Sequence, residues 1–83
     1  MNNYKPNGSK FDPNTLKPFD KVLILTEAWV PVLFTYLDRS FKCPRMINFG
    51  DPIGHLVIPY NEETKHLIGT RFKAPEYYRY WEN

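Results

Sequence analysis

Two consecutive apolar segments, separated by only two residues, constrain the fold of this chain more than any other feature. The first is Asp20 to Thr26 (DKVLILT), and the second is Trp29 to Leu37 (WVPVLFTYL). Their β-branched and aliphatic residues favour strands, and Glu27-Ala28 between them fits a tight connection. Pro31 cannot donate a hydrogen bond to a neighbouring strand, so the second strand is predicted to lie at a sheet edge or to contain a bulge.

Neither segment alternates cleanly between apolar and polar residues, as the run from Val22 to Leu25 shows. A sheet with one face in water should alternate, so both faces of this sheet are expected to be covered. The cover could come from the N-terminal arm, from the aromatic C-terminal residues or from a second copy of the chain. We expect a homo-oligomer held by the outer face of the first two strands, with cover from the same chain as the alternative.

Further short strands are predicted at roughly ten-residue spacing, with turn residues between them. After a turn at 38–40, the third strand is predicted at Phe41 to Phe49, with an interruption at Pro44 as an alternative. The fourth is predicted at Gly54 to Tyr60, after a turn at Gly50-Asp51-Pro52.

The pattern changes after the fourth strand. Asn61 can cap a short helical turn near residues 61–68, and Gly69 can close it. A fifth short strand is predicted at 69–73. Residues 75–81 fit either a terminal helix or a last strand, and periodicity does not decide between them.

These elements together predict a mainly β fold, a small antiparallel SH3-like barrel with one helical turn. An OB-like barrel or an α+β fold is the alternative. Residues 1–18 contain three prolines and predict an extended N-terminal arm, followed by a single domain over 19–83. The chain has 83 residues, too few for two domains, and its only cysteine, Cys43, excludes an internal disulfide.

The chain lacks the residue sets that most enzymatic chemistry requires. Its glycines are scattered, so it has no phosphate-binding loop, and it has no nucleophile elbow. Cys43 with His55 or His66 could form a nucleophilic set, but a small buried hydrophobe is the simpler interpretation of Cys43. These three soft ligands also lack the paired spacing of a metal site. We therefore expect no enzymatic activity, and no catalytic residue, cofactor or metal.

The C-terminal third interleaves cations with aromatic residues. Cations attract phosphate and stack on rings, and aromatic rings stack on nucleobases, so the pattern predicts a site for a nucleotide or a single strand. The alternative is that the rings close the bottom of the barrel while the cations solvate its rim. The candidate ligand-binding residues are Lys65, His66, Arg71, Lys73, Tyr77, Tyr78, Arg79 and Trp81.

Charge and hydropathy limit the setting of the protein. The formal net charge of +2 is far below that of a dedicated DNA-coating protein. A transmembrane helix needs about 18 consecutive apolar residues, and no stretch of the sequence approaches that length. Met1 to Lys10 contains no hydrophobic core of a signal peptide. Together with the single cysteine, these features predict a cytoplasmic protein that does not associate with membranes.

The chain resembles a group of small proteins from gut Bacteroidales and their phages, for which no activity is established. The likeness lies at Leu16 to Leu25 (LKPFDKVLIL), at Ile58 to Thr70 (IPYNEETKHLIGT) and at 75–78 (PEYY), about half of the chain. The middle, Asp38 to Asp51, varies most in that group. The resemblance implies a bacterial or phage origin and a location in the host cytoplasm.

The absent catalytic sets, the cation–aromatic pattern and the phage context lead to two hypotheses of function. The first is a non-catalytic binding protein, a phage-encoded sponge that sequesters a nucleotide immune signal of host antiphage defence. The alternative is a nucleic-acid or protein interaction module on a small β-barrel, with a host protein among the partners considered.

Overall fold

The structure of this protein is a computed structural model that describes residues 10–40, 43–48 and 51–82. Over these residues the fold is mainly β, with two three-stranded antiparallel sheets and short 3₁₀ helices, which confirms the predicted class. The strands are β1 (Lys21–Leu25), β2 (Trp29–Leu33), β3 (Tyr36–Asp38), β4 (Arg45–Asn48), β5 (Asp51–His55) and β6 (Val57–Pro59). The 3₁₀ helices are Pro13–Thr15, Lys65–Leu67 and Glu76–Tyr78.

The first sheet has the order β2-β1-β6 and the second has the order β3-β4-β5. In the first sheet, Leu23 of β1 pairs with Pro31 of β2 on one side and with Ile58 of β6 on the other. β2 is therefore an edge strand, which confirms the position predicted from Pro31. An edge position accommodates proline because its missing N–H can face away from the sheet.

Two predicted strands are each divided in the structure. The strand predicted from Trp29 to Leu37 ends at Leu33 and resumes as β3, and the strand predicted from Gly54 to Tyr60 is divided at Leu56 between β5 and β6. At both points the chain leaves one sheet and enters the other. Over the described residues the two sheets do not close into a continuous ring of hydrogen bonds, so the structure alone does not define a barrel.

The centre of the chain also differs from its prediction. β4 is shorter than the strand predicted at 41–49, and residues 41, 42, 49 and 50 lie outside the described part. The turn predicted at Gly50-Asp51-Pro52 is wrong for its last two residues, which begin β5. Asp51 pairs with Asn48, so strand pairing extends further toward the turn than the composition indicates.

The helical turn predicted near residues 61–68 is confirmed. The Asn61 carbonyl accepts hydrogen bonds from the N–H groups of Thr64 (3.1 Å) and Lys65 (2.9 Å), and the Asn61 side chain accepts the Glu63 N–H (2.8 Å). Gly69 then adopts a φ of +83°, which glycine takes without steric cost.

The fifth strand, predicted at 69–73, is wrong. The nearest feature is a single parallel bridge between Trp29 and Ile68. Residues 75–81 form no strand, and the helix considered for them is reduced to the 3₁₀ helix Glu76–Tyr78, which begins directly after Pro75. At 69–70 the chain is attached to the end of β2 by two backbone hydrogen bonds with Trp29, and farther on it contributes Ala74, Tyr78 and Tyr80 to an apolar core.

Two apolar cores lie on opposite faces of β1, whose Val22, Leu23 and Ile24 are each 0% exposed. The core between the two sheets contains Val22, Ile24, Phe34, Leu37, Met46 and Val57. The core on the outer face contains Phe11, Leu23, Trp29, Ile58, Leu67, Ala74, Tyr78 and Tyr80. The same chain therefore covers both faces of β1, and Leu23 is not available for association, which itself stays a prediction.

Candidate functional site

The chain after Gly69 is fastened to the β1–β2 hairpin by backbone hydrogen bonds. The Gly69 N–H donates to the carbonyl of Trp29 (2.9 Å), and the Trp29 N–H donates to the carbonyl of Thr70 (2.9 Å). The positive φ of Gly69 turns the chain from the 3₁₀ helix Lys65–Leu67 onto the hairpin. The segment is thus held in place although it does not form a strand.

Two side-chain hydrogen bonds complete this attachment. The indole Nε1–H of Trp29 donates to the carbonyl of Phe72 (2.8 Å), and the Arg71 guanidinium donates through Nη1 to the carbonyl of Glu27 (2.7 Å). Trp29 is only 1% exposed, and a buried indole N–H requires an acceptor. Packing of Trp29 in the outer core therefore fixes the backbone position of Phe72.

The Phe72 side chain is 70% exposed although its backbone is fixed. Arg71 and Lys73, on either side of it, are exposed as well. We call these three residues the cation–aromatic strip. A ring in water gains nothing from the hydrophobic effect, so packing does not account for a phenylalanine at this position.

The sequence includes Phe72 in the interleaved cation–aromatic pattern, between the two cations that were selected as candidates. Phe72 itself is not among the candidate ligand-binding residues, because the pattern alone does not show which of its rings are exposed. The signal that could have found it is the Arg-Phe-Lys order directly after Gly69-Thr70.

Tyr78 and Tyr80 are 6% and 0% exposed and belong to the outer core. Their rings lie 5.8 Å and 6.0 Å from the ring of Phe11, between centroids. These tyrosines therefore close the core, as the alternative interpretation of the C-terminal aromatics predicts. The structure does not present Tyr78 to a ligand, although the sequence includes it in the candidate set.

The hydroxyl groups of both tyrosines are hydrogen-bonded within the fold. The Tyr78 hydroxyl donates to Glu63 Oε1 (2.7 Å) and accepts from Asn61 Nδ2 (3.0 Å). Burial and the bond to Glu63 raise the pKa of Tyr78 above its usual value. The Tyr80 hydroxyl accepts the N–H of Val57 (3.2 Å), at the free edge of β6.

The segment from Ile58 to Thr70, which carries the resemblance, has a structural role at the same edge. Thr64 is fully buried, and its hydroxyl donates to the carbonyl of Pro59 (2.7 Å) and accepts the N–H of Asn61 (3.0 Å). At this edge of β6 the Val57 N–H and the Pro59 carbonyl both have hydrogen-bond partners, the Tyr80 and Thr64 hydroxyl groups. Pro59 itself has no N–H that would need an acceptor. Asn61, Glu63 and Thr64 of this segment thus have hydrogen-bonding roles within the fold.

Arg79 and Trp81 are half-buried. Arg79 Nη1 lies 2.8 Å from Glu82 Oε1, so the charge of its guanidinium is already paired. Its Nε is buried and has no hydrogen-bond partner among the residues that the structure describes. The rings of Trp81 and Trp29 lie 6.4 Å apart between centroids. Trp81 therefore packs against the residue that holds the strip, while Arg79 is engaged in an ion pair.

Lys65, His66 and Tyr77 are exposed, as a ligand site requires. Lys65 Nζ forms an ion pair with Glu62 Oε1 at 2.8 Å, between exposed side chains. Such surface ion pairs contribute little to stability and break readily, so Lys65 remains able to bind an anion. Tyr77 is 53% exposed, and its ring meets that of Tyr78 edge-on at 5.0 Å.

In the part of the chain that the structure describes, no three His, Cys, Asp or Glu side chains are grouped as metal ligands. His55 is 8% exposed, and its Nδ1 lies 3.3 Å from the carbonyl oxygen of Leu25. Cys43 is half-buried and His66 is exposed. His55 thus lies within the packed fold, where it contacts the backbone of β1.

Comparison of the chain with protein-family models, curated proteins and solved structures found no match. Over the described residues, no helix has the length and apolar character needed to cross a membrane. The fold and the site define a class only: a small mainly β protein that displays a cation–aromatic strip on a fixed backbone.

Proposed function

We propose that the protein is a non-catalytic binding protein that holds a nucleotide at the cation–aromatic strip. The nucleobase stacks on Phe72, and the phosphate lies between Arg71 and Lys73. The observation that carries this proposal is the 70% exposure of Phe72 on a backbone held by the buried indole of Trp29.

The fixed backbone matters because ordering a flexible loop during binding costs free energy. In this protein the backbone at Phe72 is already ordered when the chain folds and Trp29 is buried, so binding does not have to order it. Stacking of one base on an aromatic ring contributes about 1–3 kcal/mol. Arg71 uses Nη1 for the bond to Glu27, and a guanidinium has further N–H donors for phosphate oxygens.

The same base and phosphate chemistry could come from a single strand or from a free nucleotide. A single strand suits an open strip, because successive bases and phosphates can follow the surface. A free nucleotide signal, as a phage-encoded sponge would sequester, is usually enclosed on several sides. That form of the proposal rests on the resemblance to phage proteins and requires a second subunit over the strip.

The connectivity supports a finer description of the fold, which we propose as a partly open SH3-like barrel. β2 continues into β3 through Phe34-Thr35, and β5 continues into β6 through Leu56. The two sheets are thus joined at two corners, as in small barrels whose strands bend from one sheet to the other. We place the protein in the cytoplasm, since a single cysteine suits a reducing compartment.

The test is a binding titration with two kinds of probe: a fluorescent oligothymidylate of about twelve nucleotides and a panel of free mono-, cyclic and ADP-ribose-type nucleotides. We expect Phe72→Leu, which keeps an apolar side chain but removes the ring, to weaken binding by about 5- to 150-fold. Ile53→Leu, at a residue 65% exposed on the second sheet, is the matched control and should bind as the wild type does.

Replacing Arg71 or Lys73 by glutamine should weaken binding and reduce its dependence on salt concentration, because each cation releases a counterion when it contacts phosphate. Oligonucleotide binding alone would assign the strip to single strands, and nucleotide binding alone would favour sequestration. Absence of binding tighter than about 100 µM to every probe, or an equal loss in the control, would contradict the proposal.

A further inference from the structure

The turn that joins β1 to β2 is cross-linked to the cation–aromatic strip in both directions. The Arg71 side chain donates to the Glu27 carbonyl (2.7 Å), and the Trp29 side chain donates to the Phe72 carbonyl (2.8 Å). Glu27 and Trp29 are two residues apart, so their Cα atoms lie within about 7 Å of each other. The backbone of Glu27 is therefore held next to the segment that carries the strip.

Hydrogen bonds also fix the backbone of the turn itself. The N–H and the hydroxyl of Thr26 both donate to the Ala28 carbonyl, at 3.0 Å and 3.1 Å, and these bonds close the turn around Glu27. Together with the bond from Arg71, they hold the backbone from which the Glu27 side chain extends. A side chain on a fixed backbone binds a ligand without the free-energy cost of ordering a loop.

The carboxylate of Glu27 is an acceptor that the fold does not use. Glu27 is exposed, and within the described ranges its carboxylate takes part in no hydrogen bond or ion pair. Arg71 binds the backbone carbonyl of this residue and not its carboxylate. Glu62 and Glu82, in contrast, each lie 2.8 Å from a cation. The Glu27 carboxylate is thus available to accept hydrogen bonds from a ligand.

A carboxylate beside a phosphate site opposes binding by charge repulsion unless it contacts another part of the ligand. An ionised carboxylate only accepts, and its two oxygens accept two parallel N–H bonds. Guanine presents two neighbouring donors on its Watson–Crick edge, N1–H and the exocyclic amino group. Adenine and cytosine present one amino group beside a ring nitrogen that itself accepts, and thymine presents one N–H between two carbonyl oxygens. A carboxylate in contact with this edge therefore selects guanine.

We propose that the nucleobase held at the cation–aromatic strip is guanine, and that the Glu27 carboxylate selects it by accepting from N1–H and the amino group. This inference rests on the proposed function, in which the base stacks on Phe72. It adds base specificity, because stacking alone tolerates every base. The same guanine can belong to a free nucleotide or to a single strand, and the probes below distinguish these two sources.

Titration of the wild type with guanosine, inosine and adenosine monophosphates tests the selection. Guanosine monophosphate should bind more tightly than adenosine monophosphate by about 5- to 150-fold, the discrimination that one bidentate contact to a base supplies. Inosine lacks the amino group of guanine but retains N1–H, so its affinity should lie between the other two. The phosphate is the same in all three probes, so their differences report the base alone.

Glu27→Gln should bring the ratio of guanosine to adenosine affinity close to one, because an amide donates as well as accepts and can bond to either base. The bond from Arg71 goes to the backbone carbonyl, so this substitution leaves the strip attached to the turn. Glu76→Gln is the matched control, since it removes an exposed carboxylate from the 3₁₀ helix Glu76–Tyr78. It changes the net charge equally and should leave the ratio as in the wild type.

An oligothymidylate of about twelve nucleotides, with and without guanines inserted between its thymines, tests the same selection in a single strand. A guanine preference in either kind of probe, lost in Glu27→Gln, supports the inference and identifies the source of the base. Equal affinities with and without guanine overturn it and leave the proposed function standing. It is also overturned if Glu27→Gln keeps the full preference or Glu76→Gln loses it. Absence of binding to every probe contradicts the proposed function and this inference together.

Discussion

The aromatic residues of the last third of the chain form two groups that composition does not distinguish. Tyr78 and Tyr80 are 6% and 0% exposed, whereas Phe72 and Tyr77 are 70% and 53% exposed. The hydroxyl groups of the buried pair have partners inside the fold. The backbone carbonyls of the exposed pair accept hydrogen bonds from the Trp29 indole and the Phe11 N–H, yet their rings lie mostly in water. The comparison shows that a fixed backbone alone does not bury a ring near the C-terminus of this chain, and that burial depends on the position of the ring relative to the outer core.

The largest expected effect separates the two groups by stability. Tyr80→Ala removes a fully buried ring and should lower the free energy of unfolding by about 3–5 kcal/mol. Phe72→Ala should change it by no more than about 0.5 kcal/mol, since the ring is mostly in water. Urea denaturation followed by tryptophan fluorescence measures both.

Loss of cooperative unfolding in Tyr80→Ala agrees with this expectation, because a domain of this size has a thin stability margin. The distinction between buried and exposed rings is contradicted if Phe72→Ala lowers the free energy of unfolding as strongly as Tyr80→Ala does. In that case the ring of Phe72 would be a packing residue, and the proposed binding site would lose its main support.

A smaller effect isolates the hydroxyl of Tyr80 from its ring. Tyr80→Phe keeps the ring but leaves the N–H of Val57 without its acceptor at the edge of β6. An unsatisfied buried N–H costs about 1–3 kcal/mol. Tyr77→Phe, the same substitution on an exposed ring, should leave the free energy of unfolding unchanged, and equal values for the two variants would contradict the hydrogen-bonding account of the β6 edge.

The parts of the fold that follow local signals could be predicted from the sequence. Pro31 indicated an edge strand, and Asn61 with Gly69 marked the two ends of one helical turn. The sheet change at Phe34-Thr35 and the division at Leu56 were not predictable. Apolar residues continue across both corners, and only pairing with β4 or with β1 decides which sheet a residue joins.

The candidate site was predictable to a similar degree. Arg71 and Lys73 were selected from the interleaved cations and aromatic residues, and both are exposed. Tyr77 and Tyr78 are adjacent and chemically identical, so composition could not tell which of them is buried. The Phe11 N–H bonds to the Tyr77 carbonyl (2.8 Å), which places the N-terminal segment over Tyr78, and this contact spans almost the whole chain.

The smallest expected effect is the part of the pH dependence of stability that arises from Tyr78. Its pKa in the folded protein is raised above the usual value of 10.0, chiefly by burial and then by the bond to Glu63. The unfolded chain therefore releases this proton at a lower pH than the folded one. The contribution of Tyr78 to stability is complete below about pH 10 and declines as the pH rises toward the folded pKa.

Tyr78→Phe has no such proton, so the wild type should be more stable than this variant near neutral pH by an amount that shrinks above about pH 10. Chemical denaturation of both proteins between about pH 8 and 11 measures that difference directly, and subtraction removes the titration of groups the two proteins share. Tyr77→Phe serves as the control: Tyr77 is the smallest of the causes that raise the pKa of Tyr78, so this variant should retain most of the pH dependence of the wild type. A difference between wild type and Tyr78→Phe that stays constant with pH would mean that the Tyr78 hydroxyl is not enclosed with Glu63, and the two groups of rings would then differ only in how far each ring is buried.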